Sequence, residues 1–274
     1  MNTEKVVLVT GASSGMGYSG AQQLVDAGFV VYATSDTLDG MSPLQERGAK
    51  VRALDVTDEA MMVACVDEIV AEEGRIDVLI NNAGYGSYGA LEDVAMSEAR
   101  RQFDVNVFGL ARLTQLVLPH MRARQSGTIV NISSVGGVTS EPHGAWYHAT
   151  KFAVEGLSDC LRQEVSQFGI NVVVVLPGAV HSNWSSLACE FLLNASGGTA
   201  YGDLAQKHAS FLERIHEGAS DPSVIGKAMV EICEASKPKT RYARGKHART
   251  ALIMRRLLSD RMYDRFILSL LRRR

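Results

Sequence analysis

Two residues four positions apart, Tyr147 and Lys151, are the first candidates for chemistry, because they lie in a segment with helical periodicity. This spacing places both side chains on one face of a helix. An ammonium group near a phenol favours the phenolate and lowers the tyrosine pKa from about 10 towards neutral pH. Such a tyrosine can exchange a proton with a carbonyl and alcohol pair. Alone, the pattern is more often a surface pair.

A serine, Ser134, directly follows the predicted strand 128–133. Open α/β sheets bind their ligands at the carboxyl ends of the strands. A hydroxyl at that edge can therefore hold a substrate oxygen. A serine in an ordinary strand-end turn is the alternative interpretation.

The first predicted strand ends in a glycine-rich turn, residues 10–17, with the sequence TGASSGMG. Glycines let the backbone turn tightly and approach a phosphate, and the helix that follows supplies N–H donors and the positive end of its dipole. The spacing is Gly-x₃-Gly-x-Gly rather than Gly-x-Gly-x-x-Gly. The turn predicts a dinucleotide phosphate site, and a glycine-rich turn without a ligand is the alternative.

An acidic residue, Asp36, lies just past the second predicted strand, 19 residues after Gly17. This is near the spacing at which a carboxylate binds the 2′-hydroxyl of an adenosine ribose. The same carboxylate would repel a 2′-phosphate, so it favours NAD over NADP. A solvated loop aspartate is the alternative.

The candidate residues named above can form one site only if the strands that carry them end at the same edge of a sheet. Short β-rich runs alternate with longer helical patterns, and several runs are continuously apolar, as in strands buried on both faces. The alternation predicts an α/β fold, a single-domain Rossmann-type doubly wound parallel sheet of about seven strands with helices on both faces. The predicted strands are 5–10, 29–34, 50–54, 76–81, 128–133, 171–176 and 240–243, and the longer predicted helices are 17–27, 58–73, 97–122 and 145–167.

Charge is unevenly distributed along the chain. The 274 residues have a formal net charge of −2, but residues 237–274 carry 13 Lys and Arg against two Asp. Apolar residues recur at helical spacing near the C-terminus, with arginines between them. We therefore divide the chain into a dinucleotide-binding catalytic domain, 1–249, and a basic amphipathic C-terminal helix, 250–274. That helix either packs on the body or another subunit, or makes a peripheral contact with an anionic membrane.

Composition excludes several other classes of protein. An apolar content of 46% excludes a disordered chain, and the near-balanced charge gives no reason to expect a nucleic-acid partner. The four cysteines are isolated in the sequence, so no metal site is expected. We expect no signal peptide before the first strand, and no apolar stretch is long enough to span a membrane. We therefore expect a cytoplasmic protein.

In chain order, these motifs resemble those of the short-chain dehydrogenase/reductases. The resemblance covers at least residues 4–180, and the joint occurrence of the motifs is highly specific. Other segments look like the subgroup that acts on steroid, retinoid or similar apolar alcohols. The family motifs are 10–17, 81–84, Asn106, Ser134, Tyr147, Lys151 and 177–178, and the subgroup segments are 82–86, 148–156 and 238–242.

The resemblance implies a role for each matching residue. Tyr147 would be the general acid and base, and Lys151 would bind the nicotinamide ribose and depress the Tyr147 pKa. Ser134 would hydrogen-bond the reacting oxygen, and Asn106 would hold a water in a proton relay. The implied cofactor-binding residues, besides Tyr147 and Lys151, are Gly11, Ser13, Ser14, Gly15, Met16, Gly17, Asp36, Asp55, Val56, Asn82, Ala83, Gly84, Pro177, Gly178, Val180 and Ser182.

The resulting hypothesis is an NAD(H)-dependent oxidoreductase that interconverts a secondary alcohol and a ketone on an apolar small molecule. The subgroup often has Arg at the position of Asp36, so NADP is the second choice of cofactor. The helices 97–122 and 145–167 are expected to build a homodimer interface, as in the family. The alternatives are an NADP(H)-dependent ketoreductase with a polar substrate and a non-catalytic dinucleotide-binding regulator. The residues expected to line the substrate pocket are Tyr85, Tyr88, His143, Trp146, His181, Trp184, Phe191 and Leu192, and residues 183–220 are expected to form a substrate loop with one or two short helices.

Overall fold

A parallel sheet of seven strands forms the centre of the computed structural model, which describes residues 5–272. The strand order is β3-β2-β1-β4-β5-β6-β7, and every neighbouring pair is parallel. This confirms the predicted doubly wound sheet. The strands are β1 (Val6–Thr10), β2 (Val30–Ser35), β3 (Lys50–Ala53), β4 (Val78–Asn81), β5 (Gly127–Ile132), β6 (Ile170–Pro177) and β7 (Arg241–Arg244).

Helices cover both faces of the sheet, because successive side chains of a strand point to opposite sides. Val7 and Val9 of β1 belong to one apolar cluster, and Val6 and Leu8 belong to another on the opposite face. The helices are α1 (Gly15–Asp26), α2 (Ser42–Glu46), α3 (Glu59–Glu73), α4 (Met96–Phe103), α5 (Leu110–Ala123), α6 (Ala145–Val165), α7 (Trp184–Ser196), α8 (Gly202–Glu217), α9 (Ser223–Glu234), α10 (Ala248–Leu257) and α11 (Asp260–Arg272).

The predicted helix 97–122 contains an irregularity that the sequence pattern did not indicate. A π-helical segment, Asp104–Gly109, lies between α4 and α5. Such segments are rare and are frequent at functional sites. Residues 183–220 hold the two helices α7 and α8, in agreement with the expectation of one or two helices, although these have 13 and 16 residues.

The C-terminal segment 250–274 differs from the single helix that was predicted. Two helices, α10, which begins at Ala248, and α11, take its place, and the chain between them is extended at Leu258. Residues 1–4 of the first predicted unit and 273–274 of the second lie outside the described part of the chain. Across residues 5–272, no helix has both the length and the apolarity needed to cross a membrane.

Candidate active site

Tyr147 lies in the first turn of α6 and is buried. Burial raises the pKa of its phenol to about 12, while a hydrogen bond from Ser134 acts to lower it and the charge of Glu141 acts to raise it. Ser134 follows β5 and begins a short 3₁₀ turn, in which its hydroxyl accepts a hydrogen bond from the Gly136 N–H at 3.0 Å. The structure therefore brings the two hydroxyls together, although they are 13 residues apart in the sequence.

Lys151 lies one turn further along α6 and is buried beside the end of β5. Its Nζ donates a hydrogen bond to the carbonyl oxygen of Ile132 at 3.0 Å and lies 6.0 Å from the centre of the Tyr147 ring. Burial lowers the Lys151 pKa to about 8, although the charge of Glu155 opposes that shift. The expected lowering of the Tyr147 pKa by Lys151 is not seen in this geometry, because burial of the phenol dominates.

Asn106 lies in the π-helical segment, buried beneath the chain that follows β4. Its Oδ1 accepts from the Tyr85 N–H at 3.0 Å, and its Nδ2 donates to the Tyr85 carbonyl at 2.9 Å. A second contact joins Nδ2 to the Thr150 hydroxyl at 3.1 Å. A Cβ on Gly84 would lie 3.0 Å from Asn106 Oδ1 and 3.7 Å from Lys151 Nζ. Asn106 and Lys151 therefore border the same glycine.

The turn between β1 and α1 has the shape of a phosphate-binding loop. Gly11 and Gly15 have φ angles of +64° and +56°, which favour glycine. A side chain on Gly17 would strike the Gly11 carbonyl. The first turn of α1 has no side-chain cap from Ser14, which leaves its N–H donors available to an anion.

Asn82 closes this loop from the end of β4. Its Nδ2 donates to the carbonyl oxygens of Thr10 and Gly11 at 2.9 and 3.0 Å, while its Oδ1 is buried without a hydrogen-bond partner. The Thr10 hydroxyl accepts from the N–H groups of Asn82 and Ala83 at 3.0 Å each. Thr10 was part of the predicted turn but had no assigned role. Its contacts show that it joins the two strand ends.

Asp36 is exposed directly after β2, at the edge of the sheet that also carries the loop. Ser35 Oγ lies 3.0 Å from both Asp36 Oδ1 and Ser13 Oγ. Asp55, after β3, accepts hydrogen bonds from the N–H and hydroxyl of Thr57. The carboxylate of Asp36 thus lies beside the phosphate-binding loop.

The chain after β6 forms the other wall of the site. Val180 is buried, and the Gly178 N–H donates to the Arg244 carbonyl at 2.8 Å. Ser182 reaches towards the phosphate-binding loop, since a Cβ on Gly15 would lie 3.3 Å from Ser182 Cβ. Val56 is buried under the π-helical segment, where a Cβ on Gly109 would strike its carbonyl oxygen.

A cavity of about 500 Å³ joins these parts. Its walls include the candidate catalytic residues Ser134, Tyr147 and Lys151 together with apolar side chains from α8, α10 and α11. Ten of the predicted site residues line the cavity, and ten do not. Those that do not line it are Gly11, Ser13, Ser14, Gly15, Gly17, Asp36, Asp55, Val56, Ala83 and Asn106. Those that line it are Met16, Asn82, Gly84, Ser134, Tyr147, Lys151, Pro177, Gly178, Val180 and Ser182.

The C-terminal helices form part of this cavity, although the sequence placed them outside the catalytic unit. Tyr263 and Leu271 of α11 are buried. The helix periodicity explains the arrangement, because residues three and four apart share one face. The residues of the two helices that line the cavity are Thr250, Ala251, Met254, Tyr263, Phe266, Ile267 and Leu270.

Of the side chains expected to line the substrate pocket, Tyr85, Tyr88 and Trp184 do so. The other five do not line it. Glu141 and Tyr263 were missed, because the sequence shows neither the turn that precedes α6 nor the return of the C-terminus. The five expected residues that do not line the cavity pack elsewhere. Trp146 packs against Phe103, and Phe191 packs against Tyr85. His181 packs against His216, His143 packs against His208, and Leu192 lies in an apolar cluster.

Known proteins share both this sequence and this fold. A family model described as short chain dehydrogenase matches residues 5–188. The chain is 38% identical over 239 residues to a 3-ketodihydrosphingosine reductase of Bacteroides thetaiotaomicron, and the match covers 86% of each. It is 34% identical over 255 residues to 17-beta-hydroxysteroid dehydrogenase type 1 of Mus musculus, covering 86% of this chain and 72% of the relative. A short-chain dehydrogenase structure from Streptomyces avermitilis has 36% identity and a TM-score of 0.80, covering 92% of each chain.

The parallel sheet, the glycine turn and the buried Tyr147 with Ser134 define a dinucleotide-dependent oxidoreductase. The chain belongs to the short-chain dehydrogenase/reductase family. It is an enzyme that acts on CH–OH groups of small molecules with NAD or NADP, and its relatives include a steroid dehydrogenase. The alternative of a non-catalytic regulator is thereby excluded.

Proposed function

We propose that this enzyme interconverts a secondary alcohol and a ketone on an apolar small molecule with NAD(H). The observation that carries the proposal is the position of Tyr147, whose hydroxyl is hydrogen-bonded to Ser134 at the wall of a largely apolar cavity. A buried phenol with a raised pKa is a neutral acid at pH 7, ready to protonate a carbonyl oxygen or to receive the proton of an alcohol.

The four catalytic candidates divide the work between them. Tyr147 holds the proton that is exchanged with the substrate oxygen, and Ser134 donates a hydrogen bond to that same oxygen. Lys151 supplies positive charge below its pKa of about 8. Asn106 fixes the chain at Tyr85 and borders Lys151 through Gly84, which suits a relay that returns the proton to solvent.

The residues around the glycine turn fit a dinucleotide. The uncapped start of α1 offers N–H donors to a pyrophosphate, and the unpartnered Oδ1 of Asn82 is placed to accept a hydrogen bond from a ribose. Asp55 and Val56 would meet the adenine, and Pro177 to Ser182 would flank the nicotinamide. When bound, the nicotinamide supplies or accepts the hydride.

The preference for NAD rests on Asp36. Its exposed carboxylate lies next to Ser35 and Ser13, at the point where a 2′-phosphate would bring further negative charge. Like charges at short range in a site of this kind repel each other. The same carboxylate accepts hydrogen bonds from a ribose that carries a free 2′-hydroxyl.

The apolar substrate class rests on the walls of the cavity. Aromatic side chains surround Tyr147, with the rings of Tyr88 and Trp184 centred 5.7 and 5.3 Å from it. Apolar residues of α10 and α11 also line the cavity. Such a lining favours a hydrophobic alcohol or ketone. Two relatives, a 3-ketodihydrosphingosine reductase and a 17-beta-hydroxysteroid dehydrogenase, support the same substrate class.

A homodimer through α4, α5 and α6 is part of the proposal. Phe108 in the π-helical segment and Phe152 in α6 are 59% and 49% exposed. Large exposed aromatic side chains on neighbouring helices are typical of a subunit interface.

We also propose that the C-terminal helices α10 and α11 make a peripheral contact with a membrane. Ile253 and Leu257 of α10 and Met262 of α11 are 55%, 74% and 55% exposed. Exposed arginines lie beside them, including Arg256 and Arg261. An anionic lipid surface matches this combination of positive charge and apolar side chains. We place the enzyme in the cytoplasm, at such a surface.

A cofactor-dependent screen of steroid, retinoid and aryl alcohols tests the enzymatic proposal. We expect NAD⁺ reduction with apolar secondary alcohols and much weaker turnover of short polar ones. A preference for NADPH with polar ketones would contradict it.

A further inference from the structure

A polar cluster lies within the apolar cavity and is not used by the chemistry described above. Its centre is Glu141, in the turn that precedes α6. The Tyr88 hydroxyl donates to Glu141 Oε1 at 2.9 Å, and His208 Nε2 lies 3.7 Å from the same oxygen. His143 Nδ1 lies 3.1 Å from His208 Nδ1. Three elements that are distant in sequence therefore converge on one carboxylate.

The carboxylate of Glu141 is ionised at neutral pH. Burial raises its pKa, but His208, His148 and the hydrogen bond from Tyr88 outweigh this and lower it to about 2. Both contacts involve Oε1, and Oε2 has no hydrogen-bond partner among residues 5–272. The side chain is 21% exposed and lines the cavity. This carboxylate at the wall of the cavity therefore keeps one oxygen free of hydrogen bonds to residues 5–272.

The backbone next to this carboxylate is strained. His143 has a φ of +62°, a conformation that is costly for a residue with a side chain. Its side chain is buried against His208 of α8. Both rings retain a buried Nε2 that makes no hydrogen bond, and the His208 Nε2 has only its 3.7 Å approach to Glu141. A buried polar cluster that is only partly satisfied is costly unless a ligand completes it.

A cation in the cavity would find its counter-charge at Glu141, since Lys151 and Lys246, which also line the cavity, are basic. Glu141 is the only acidic side chain among the described residues that line the cavity. Aromatic residues surround this carboxylate. The Tyr88 hydroxyl donates a hydrogen bond to it, and its charge raises the pKa values of Tyr147 and Tyr263. A carboxylate flanked by aromatic rings is a suitable environment for an ammonium group. Arg255, which lies over the Tyr263 ring, is paired with Asp260 instead.

We propose that Glu141, held by Tyr88 and His208, binds an amino group of an otherwise apolar substrate. The substrate class is then an apolar amino alcohol and its amino ketone. This inference deepens the proposed function and rests on it for the reacting alcohol. Tyr88 connects the two sites, since its hydroxyl holds Glu141 while its ring lies 5.7 Å from the Tyr147 ring.

A binding experiment tests the subsite without any turnover. Decylamine and decan-1-ol are titrated into the full-length enzyme while the tryptophan fluorescence is followed, because Trp184 lines the cavity. We expect the amine to bind about tenfold to a hundredfold more tightly than the alcohol, the range of a charge-assisted hydrogen bond. In Glu141→Gln, which keeps an acceptor oxygen but removes the charge, this difference should disappear. Equal binding of the two probes by the wild type would overturn the proposal.

The chain offers a matched control for that variant. Glu98 also accepts a hydrogen bond from a cavity tyrosine, Tyr85, at 2.8 Å, but it does not line the cavity. Glu98→Gln should keep the preference for the amine. A preference that survives in Glu141→Gln would show that another group binds the amine and would overturn the assignment.

Turnover separates this inference from the proposed function. Three secondary alcohols of the same chain length are compared. They differ only at one carbon, one to three bonds from the alcohol carbon, which carries an amino group, a hydroxyl group or no substituent. The ratio of kcat/KM for the amino compound over the unsubstituted one should exceed ten and fall to about one in Glu141→Gln. Oxidation of all three at equal rates would overturn the subsite and keep the proposed function. Selective amine binding without oxidation of any alcohol would overturn the proposed function and keep the subsite.

Discussion

Lys151 Nζ lies 6.0 Å from the centre of the Tyr147 ring and donates its hydrogen bond to the carbonyl oxygen of Ile132. The two residues share one face of α6, as their spacing predicts, yet the ammonium group is directed to the end of β5. Ser134 is the residue that hydrogen-bonds the phenol. The hydrogen bond of the Lys151 ammonium group is therefore directed away from the phenol.

Tyr147→Phe should reduce turnover by about 10²–10⁴-fold, the usual contribution of a general acid or base. The substitution removes only a hydroxyl, so the fold and the glycine turn should be unchanged. Steady-state kinetics measure the loss, and quenching of tryptophan fluorescence by NADH measures cofactor binding. Wild-type turnover in this variant would contradict the assignment of Tyr147.

Lys151→Met should change how stability depends on pH. Burial lowers the Lys151 pKa from 10.5 to about 8 in the folded protein, so the unfolded chain binds more protons between these values. The stability of the wild type relative to Lys151→Met should rise by up to about 3 kcal/mol as pH increases from 8 to 10.5. Urea unfolding at several pH values measures this difference. Lys227→Met, at an exposed position, should show no such trend.

Asp36→Arg should shift the cofactor preference towards NADP(H), because an arginine attracts the 2′-phosphate that the carboxylate repels. Asp36→Asn separates the two effects, since it removes the repulsion without adding attraction, and it should give an intermediate preference. The ratio of kcat/KM for NADH and NADPH is the measurement. A wild type that already prefers NADPH would show that the interpretation of Asp36 is wrong.

Phe266→Ala should raise KM for an apolar alcohol by about tenfold, since about 1–2 kcal/mol of apolar contact is lost. Phe266 lines the cavity from α11, whereas Leu268, two residues along the same helix, does not. Leu268→Ala is therefore the control, and its KM should stay near that of the wild type. Equal effects of the two variants would show that α11 acts through stability alone.

Reversing two charges, Arg256→Glu with Arg261→Glu, should weaken sedimentation with vesicles of anionic phospholipid. Each arginine near such a surface contributes about 1 kcal/mol, so the binding constant should fall at least tenfold. The pair Lys227→Glu and Lys237→Glu makes the same change of net charge on a different surface and should bind as the wild type does. If both double variants lose vesicle binding equally, the binding depends on the net charge of the protein and not on a contact through the C-terminal helices.

Local sequence patterns were sufficient to predict the parallel sheet and the chain segments that meet at its edge. Continuously apolar strands such as β6 can only be buried on both faces, and parallel strands end on one side. On this basis, together with the family resemblance, Ser134, Tyr147 and the turn at residues 10–17 were predicted to belong to one site. The helices 58–73 and 145–167 were also located to within two residues, because their periodicity and ends are local properties.

Contacts between distant segments were decided by the tertiary structure alone. The amphipathic pattern of the C-terminus predicted a buried face but not its partner, and the fold places that face over the cavity. The position of Glu141 against Tyr88 and His208 likewise has no local signal, since the three residues lie in separate elements. The pKa of Tyr147 depends first on burial and then on Ser134 and Glu141, rather than on Lys151 four residues away. Sequence spacing determines which residues share an element, whereas packing determines what each side chain touches and how much water remains around it.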